Sequence, residues 1–462
     1  KKTFQGYWWL PDKPDTQLFG ELIYEKNENL RLTINGIFSD YPDPEIQSFP
    51  IIHGSTGDGI RLTLYDCHVV ETKRQIPGKD YVREGSLYLG KSVILCSIAF
   101  VGTHINTKEE MVFDKLYLNF ENQELWLGER IVDIENNTGN DNKLIVTYLA
   151  PDKKEYKLCN FIFKIYYHFG ISLHARWVED KVDYESVIEI DYFKSQGIAE
   201  IFSIVYQTRN FISLFSGHVI NLNHMSVNYH DLDKDVSLDV LYNHRMVLRQ
   251  NTDEISPLNM IATFNQLPNP GVLLNNWFNK IHSLEPILDL YFSIIYNPYM
   301  YITNQFLSLT QALETYHLRT FNNNEYLDEE LFNELRSTFQ QAVQDIPNNQ
   351  RGHFYSKIKY MNKKSLREKL REIITKFDYL KNVLNIDNGE FVNQVVNTRN
   401  YYTHYDPKDM DQAIKPENLY PFNEKLRLLL VATILNEIQL SKNNIINYVQ
   451  KDRFRYGRYY IE

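Results

Sequence analysis

The spacing of the apolar residues changes once along this chain of 462 residues, close to Gly197. Before Gly197, short apolar or alternating runs are separated by clusters of Gly, Asn, Asp and Lys. Two of these runs, Leu18–Glu25 and Leu30–Phe38, flank an Asn-Glu-Asn turn in the manner of a β-hairpin. From Val272 onward, apolar residues recur at helical spacing between short polar connections. Many strands without intervening helices, followed by helices alone, predict an α+β chain.

The same pattern divides the chain into three parts and assigns further elements. We predict an antiparallel β-rich domain, sandwich or barrel-like, over 1–195, a mixed connecting region over 196–271 and an α-helical bundle over 272–462. Further strands are expected at Ile60–Thr72, Ser86–Gly90, Val93–Val101, Phe113–Phe120, Leu144–Leu149, Phe161–Phe169, Ile171–Trp177 and Ser186–Tyr192. Helices are expected at Ile198–Phe215, Val272–Tyr296, Tyr299–Thr320, Leu327–Asp345, Ser365–Leu384, Glu390–Tyr405 and Leu426–Val449.

Composition limits the class of protein. With 43% hydrophobic and 23% charged residues, the chain has the composition of an ordinary globular protein. Its cysteines, Cys67, Cys96 and Cys159, form no C-x-x-C pair, so we expect free thiols in a reducing cytoplasm. No apolar run approaches the roughly 18 residues of a membrane span, and we expect no membrane partner. A net charge of −10 argues against a protein covered with nucleic-acid-binding surface.

Three residues near the end of one predicted helix form the strongest candidate site. Pro407 should stop that helix close to Tyr405, which leaves His404 in the last turn, and Asn400 lies four residues earlier on the same face. Arg399 can bend its long side chain toward that face. An arginine can hold a scissile phosphate through two hydrogen bonds, and a histidine can move the proton of a 2′-hydroxyl or of a leaving 5′-oxygen. The spacing alone equally fits an ordinary surface pair on a solvated helix.

Positive charge is concentrated upstream of this helix. The candidate RNA-contacting residues are Lys357, Lys359, Lys363, Lys364, Arg367 and Arg371. The C-terminal tail adds Arg453, Arg455 and Arg458 among aromatic residues. Basic residues with neighbouring aromatic rings can hold phosphates and stack unpaired bases. The alternative is a solvated helix face with a docked terminus.

One further pattern concerns metal binding. Glu314 and His317 form a Glu-x-x-His step, the unit that di-iron bundles use twice. The sequence contains no second such step, so we predict no metal and no other cofactor. Glu314 is instead a candidate accessory residue of the arginine–histidine site, where it would orient Arg399, or a plain helix-packing residue; Tyr402 is a second accessory candidate.

Two stretches resemble known families. Arg399-Asn400-x3-His404 on a late helix is similar to the R-x4–6-H signature of HEPN ribonucleases, with all three positions intact. The stretch from Phe4 to Asp12, which reads FQGYWWLPD, resembles the start of the ApeA N-terminal domain of prokaryotic antiphage proteins, a domain found fused to HEPN domains.

The resemblance implies an activity and partners. HEPN domains generally pair in two-fold dimers that bring both motifs into one cleft, so the resemblance implies a homodimer or a higher oligomer. It also implies metal-independent RNA cleavage that leaves a 2′,3′-cyclic phosphate and a 5′-hydroxyl. The substrate would be a cellular RNA such as transfer RNA, and the N-terminal domain would sense or regulate in response to a phage-derived trigger, for instance a protein.

Several alternatives stay open at the level of the sequence. His404 would serve as acid, base or phosphate ligand. A non-catalytic HEPN protein that binds or scaffolds is the main alternative function. A carbohydrate-binding or hydrolytic role of the β-rich region is a weaker one, because no paired-carboxylate or triad motif stands out there.

Overall fold

The computed structural model describes residues 1–25, 28–38, 48–74, 90–137, 143–172, 181–231, 234–242, 257–297 and 299–458. The chain divides into two compact units, Lys1–Leu267 and Pro268–Glu462. The first unit is β-rich and the second is helical, which confirms the predicted α+β class.

The described part of the first unit contains strands and two helices. The strands are β1 (Lys2–Trp9), β2 (Leu18–Tyr24), β3 (Leu30–Asn35), β4 (Ser48–Thr56), β5 (Arg61–Arg74), β6 (Gly90–Val101), β7 (Val112–Phe120), β8 (Val132–Asn137), β9 (Lys143–Tyr148), β10 (Lys154–Lys157), β11 (Phe161–Ser172), β12 (Lys181–Gly197), β13 (Leu222–Asp231) and β14 (Lys234–Tyr242). The helices are α1 (Gln123–Leu127) and α2 (Ile198–Ser216).

Strand β6 joins a closed barrel to an open sheet. The strand order is β10-β11-β12-β7-β13-β14-β6-β3-β2-β1-β4-β5, and an additional pairing of β6 with β5 closes β6, β3, β2, β1, β4 and β5 into a six-stranded ring. One edge of β6 pairs with β3 through residues 91–96 and with β14 through residues 98–101. Strands β8 and β9 form a separate hairpin.

Alternation along the strands fills the barrel. In β3, Leu30, Leu32 and Ile34 are buried and the residues between them are more exposed, so one face of the strand points inward. The apolar core of the barrel comprises Trp8, Leu22, Leu30, Leu32, Ile34, Phe38, Ile52, Leu62, Leu64, Cys67, Ile94, Cys96, Ala99 and Leu241. Cys67 and Cys96 lie opposite each other in the β5–β6 register as free thiols.

Most of the predicted connecting region of 196–271 falls within the first unit, which ends at Leu267. Helix α2 ends at Ser216, and the following Gly217 has φ 72°, the left-handed conformation that often terminates helices. Strands β13 and β14 then enter the large sheet between β7 and β6. Of the predicted strand at Ile171–Trp177, only the first two residues are described, as the end of β11. Of the one at Ser86–Gly90, only Gly90 is described.

The second unit is a helical bundle. Its helices are α3 (Pro270–Tyr296), α4 (Ile302–Thr320), α5 (Glu329–Val343), α6 (Asn348–Tyr360), α7 (Leu366–Lys376), α8 (Lys381–Leu384), α9 (Glu390–His404), α10 (Pro416–Glu437) and α11 (Lys442–Arg458). Helix α4 packs against α3, α7, α9 and α10, and it lies at the centre of the unit. None of the described helices is long and apolar enough to cross a membrane.

Three helix predictions need correction. The single helix predicted at Leu426–Val449 is wrong, because α10 ends at Glu437 and Gln439 takes a left-handed conformation with φ 68°. The predicted helices leave out α6, which begins directly after Pro347, a position where proline is tolerated. The helix predicted at Ser365–Leu384 is interrupted at Phe377.

Candidate active site

Helix α9 presents the arginine–histidine motif at its C-terminal end. Its start is capped by Asp387, whose Oδ1 accepts hydrogen bonds from the backbone N–H groups of Gly389 (2.7 Å) and Phe391 (3.1 Å). The helix ends at His404, one residue earlier than predicted, because Tyr405 adopts a left-handed conformation with φ 51°. A tyrosine in this conformation is uncommon, and it turns the chain sharply after the motif.

Arg399, Asn400 and His404 lie together on the last two turns of α9. Arg399 and Asn400 are partly buried, and Nη1 of Arg399 donates a long hydrogen bond of 3.4 Å to Oδ1 of Asn400. His404 is exposed, and its ring makes no hydrogen bond within the described part of the chain. Since Asn400 and His404 are four residues apart, they share one face of the helix. His404 is thus exposed at the helix end, and Arg399 and Asn400 are partly exposed beside it.

Aromatic rings surround the end of this helix. The ring centroids of Tyr401, Tyr402 and Tyr405 lie 5.1–6.0 Å apart. The Tyr402 hydroxyl donates to the backbone oxygen of Ile414 at 2.9 Å, and its ring lies against Phe306 of α4. Burial raises the pKa of Tyr402, and the neighbouring tyrosines raise it further. Tyr402 thus supports the helix end, whereas Tyr405 is exposed beside His404.

The described side-chain partner of Glu314 is a lysine, and none of its described contacts is with Arg399. Its Oε1 accepts a hydrogen bond of 2.7 Å from Nζ of Lys369, a buried residue of α7. His317, on the same helix, is fully buried, and its Nε2 lies 2.6 Å from Oε2 of Glu372. Both residues join α4 to α7. Among the described residues, no group of three or more His, Cys, Asp or Glu is placed to hold a metal ion.

The six basic candidates do not share one environment. Lys364 is buried and forms an ion pair with Glu372. Burial alone would raise the pKa of Glu372, but hydrogen bonds from Lys364 and His317 bring that pKa below its usual value. Lys363 forms an ion pair with Glu325.

The other basic candidates are more accessible. Nε of Arg371 donates to the backbone oxygen of Asn388 at 3.3 Å. Lys357 and Lys359 are exposed on α6, and Arg367 is partly exposed on α7. In the tail, Arg453 donates to the backbone oxygen of Val383, and the side chains of Arg455 and Arg458 lie outside the described residues.

Tyr401 and Tyr405 are aromatic neighbours of the motif that the sequence pattern did not single out. The run Asn400-Tyr-Tyr-Thr-His-Tyr405 shows them beside the motif. Nothing in that run shows that Tyr405 would take a left-handed conformation and remain exposed next to His404.

Two family models match the chain. The model described as "ApeA N-terminal domain 1" matches residues 3–277, more than half of the chain, and the model described as "Apea-like HEPN" matches residues 307–444. The second match contains α9 with Arg399, Asn400 and His404. The order of the two matches confirms the domain architecture that the resemblance implied. A comparison with curated proteins and one with solved structures found no match.

Proposed function

Because this chain belongs to the ApeA family and carries an ApeA-like HEPN domain, we propose that it is a HEPN endoribonuclease of antiphage defence. The family supports a nuclease-type defence protein. The observation that carries the proposal of cleavage is the open cluster of Arg399, Asn400 and His404 at the end of α9.

The proposed reaction is an attack within the RNA strand. The 2′-oxygen forms a bond to the adjacent phosphorus, and the bond from phosphorus to the 5′-oxygen breaks. The proton of the 2′-hydroxyl leaves to a base, and the departing 5′-oxygen receives a proton. The products are a 2′,3′-cyclic phosphate and a 5′-hydroxyl, and no metal takes part.

Each residue has a proposed role in this reaction. The Arg399 guanidinium holds the two non-bridging oxygens of the phosphate and stabilises the charge that develops on them. Asn400 lies beside Arg399, orients it and donates to the same phosphate. His404 is within the same face and exchanges a proton with one of the two reacting oxygens. Tyr405 offers an exposed ring on which a base next to the cleaved bond can stack.

The substrate and the assembly are part of the proposal. We take the substrate to be a cellular RNA, with transfer RNA as the first to test, since arrest of growth requires loss of an abundant RNA. A homodimer across the ends of two α9 helices would double the arginines at one phosphodiester. The β-rich unit would sense a phage-derived trigger and release this activity.

The test compares single substitutions in the purified protein. We expect Arg399→Ala and His404→Ala each to lower the rate of RNA cleavage by about a hundredfold or more. EDTA should leave the parent rate unchanged. A substrate with a 2′-deoxy sugar at the cleaved position should resist cleavage. His282→Ala, an exposed histidine on α3, is the matched control and should cleave as fast as the parent.

Two results would contradict the proposal. If both variants cut as fast as the parent, the reaction does not take place at α9. If expression of the parent and of His404→Ala is equally tolerated by cells and neither protein cuts RNA, the alternative of a non-catalytic HEPN scaffold is favoured.

A further inference from the structure

The open part of the large sheet has an apolar face and a polar face. In β12, Ile188 and Ile190 are fully buried on one face, and the residues between them belong to the other, because alternate residues of a strand point to opposite sides. The register places four polar residues of the second face side by side on neighbouring strands: Lys164 of β11, Glu189 of β12, Tyr117 of β7 and Ser226 of β13. The polar face thus continues across four strands.

A cavity of about 270 Å³ lies on this polar face. Its lining includes two buried residues, Ser226 and Asn119, each of which is 8% exposed. Other lining residues, His168, Glu185 and Ser237, are exposed to solvent. The cavity is slightly smaller than the ~300 Å³ at which sites for drug-sized ligands begin. It therefore has room for a small ligand or for one unit of a larger one.

Two tyrosines also line the cavity. The hydroxyl of Tyr166 donates a hydrogen bond to Glu189, and its ring meets that of His168 in a T-shaped contact with the centroids 5.2 Å apart. These contacts fix the orientation of the Tyr166 ring. Burial raises the pKa of Tyr117, and the carboxylate of Glu189 raises it further. The Tyr117 hydroxyl therefore stays protonated at neutral pH and can donate a hydrogen bond.

Several polar groups of the cavity have no partner in the described part of the chain. The hydroxyl of the buried Ser226 makes no hydrogen bond to any described residue. The side chains of Tyr117, His168 and Glu185 make none either. The solvent-facing side of a sheet is ordinarily polar, but a buried hydroxyl without a partner is unfavourable. A ligand in the cavity would supply the missing partners.

The charges around the cavity disfavour an anionic ligand. Among the described residues, no lysine or arginine lines it. The buried Lys164 is already paired, because its Nζ lies 3.0 Å from Glu189 and also contacts Asp191. Glu185 instead places a carboxylate at the cavity, where it repels phosphate and sulfate. An exposed carboxylate gains little from an ion pair, so the site is poorly suited to a cation as well.

We propose that this cavity binds a neutral, hydroxyl-rich ring, that is, a saccharide unit. The hydroxyl groups of such a ligand both donate and accept, so they can pair with the hydroxyls of Ser226 and Tyr117. They can also pair with the carboxylate of Glu185 and the imidazole of His168. The ring of Tyr166 offers an apolar surface to the C–H groups of the sugar. The proposal goes beyond RNA cleavage and does not rest on it.

The test is binding of the purified full chain to an array of neutral, sialylated and sulfated glycans, followed by titration with the neutral glycan that gives the strongest signal. We expect binding to neutral glycans. Ser226→Ala and Tyr117→Phe should each raise the Kd about tenfold or more, because each removes a hydrogen bond at a partly desolvated site. Ser237→Trp should block the cavity. Tyr184→Phe, an exposed tyrosine on the other face of β12, is the matched control and should bind as the parent does.

The substitutions separate binding from folding. Ser226→Ala and Tyr117→Phe remove hydroxyls that pair with no described residue, so the circular dichroism spectrum and the Tm should not change. Position 237 is exposed, so Ser237→Trp decides the matter if either of these variants unfolds.

Three results would overturn the proposal. The first is that no neutral glycan binds, and the second is that sialylated or sulfated glycans bind in preference. The third is that all three cavity variants keep the affinity of the parent, since the glycan then binds elsewhere. Arg399→Ala should bind glycan as the parent does, so a failure of the proposed RNA cleavage would leave this test unaffected.

Discussion

Glu437 is a single carboxylate that links four helices, and its replacement by glutamine tests the energetics of the bundle. It lies at the end of α10, where its side chain is 14% exposed, and its oxygens lie 2.9 Å from Nζ of Lys280 and 3.8 Å from Nζ of Lys376. The hydroxyl of the buried Tyr316 donates to it at 3.1 Å. These partners belong to α3, α7 and α4.

The expected loss follows from these contacts. Glutamine keeps the shape and an accepting oxygen but removes the charge. A hydrogen bond to a charged group contributes about 1.5–3 kcal/mol, whereas a neutral one contributes about 0.5–1.5 kcal/mol. The side chains of Lys280 and Lys376 are each 37% exposed and can turn toward water, which reduces the cost. We expect Glu437→Gln to lower the free energy of unfolding of the helical unit by about 2 kcal/mol at neutral pH.

The loss should depend on pH with a defined sign. Burial alone would raise the pKa of Glu437, but Lys280, Tyr316 and Lys376 together hold that pKa below its usual value. A group with a lowered pKa in the folded state contributes stability above its unfolded pKa, about 4.3 for glutamate, and that contribution is lost as the pH falls through the folded pKa. The difference between parent and Glu437→Gln should therefore shrink at low pH.

The assay must report on the helical unit alone, because the chain has two units and a global melting curve would combine them. Hydrogen exchange of the amides of α4 and α10 as a function of urea gives local free energies of unfolding. Measurements at about pH 7 and about pH 3.5 compare a pH above the unfolded pKa of glutamate with one below it. Glu285→Gln on α3 is the control for loss of an exposed carboxylate. A difference between parent and Glu437→Gln that is the same at both pH values would refute the reasoning.

Two glycines give opposite predictions. A Cβ at Gly54 would lie 2.2 Å from the ring of the fully buried Trp8, so Gly54→Ala should destabilise the barrel by about 3 kcal/mol. The loss should be measurable as faster amide exchange in β1 and β4. The control is Gly57→Ala, where a Cβ meets nothing within 4 Å and which should have little effect. Gly352 lies inside α6 with open space around it, and alanine is more stable than glycine inside a helix by about 0.5–1 kcal/mol. Gly352→Ala should therefore slow amide exchange in α6 by an equivalent amount. Unchanged exchange in α6 would contradict the prediction.

Elements that depend on local pattern could be predicted from the sequence. Helix α9 was expected at Glu390–Tyr405 and is found at Glu390–His404, since its apolar spacing and the following Pro407 are visible in the residues. The break between α10 and α11 could not be seen, because the apolar spacing continues through Ile438 and Leu440 while the backbone of Gln439 reverses its φ.

Contacts between distant residues could not be predicted. The sequence left Glu314 as a candidate either to orient Arg399 or to pack its helix, and its described partner is Lys369, which is 55 residues away and is brought beside it by the packing of α4 on α7. The closure of the barrel depends in the same way on the pairing of β6 with β5 and β3. For the site itself, the roles of Arg399, Asn400 and His404 stay a prediction until the variants are measured.

The position of β6 sets an order of events during synthesis on the ribosome. Every strand of the six-stranded ring precedes residue 102, so the ring can close as soon as Val101 has left the exit tunnel. The edge of β6 at residues 98–101 then remains unpaired until β14, which begins only at Lys234, has been synthesised. An unpaired strand edge is a template for another chain. Nascent chains halted between these two points should be the most prone to associate with one another, and translation pauses placed there would lower the yield of folded protein.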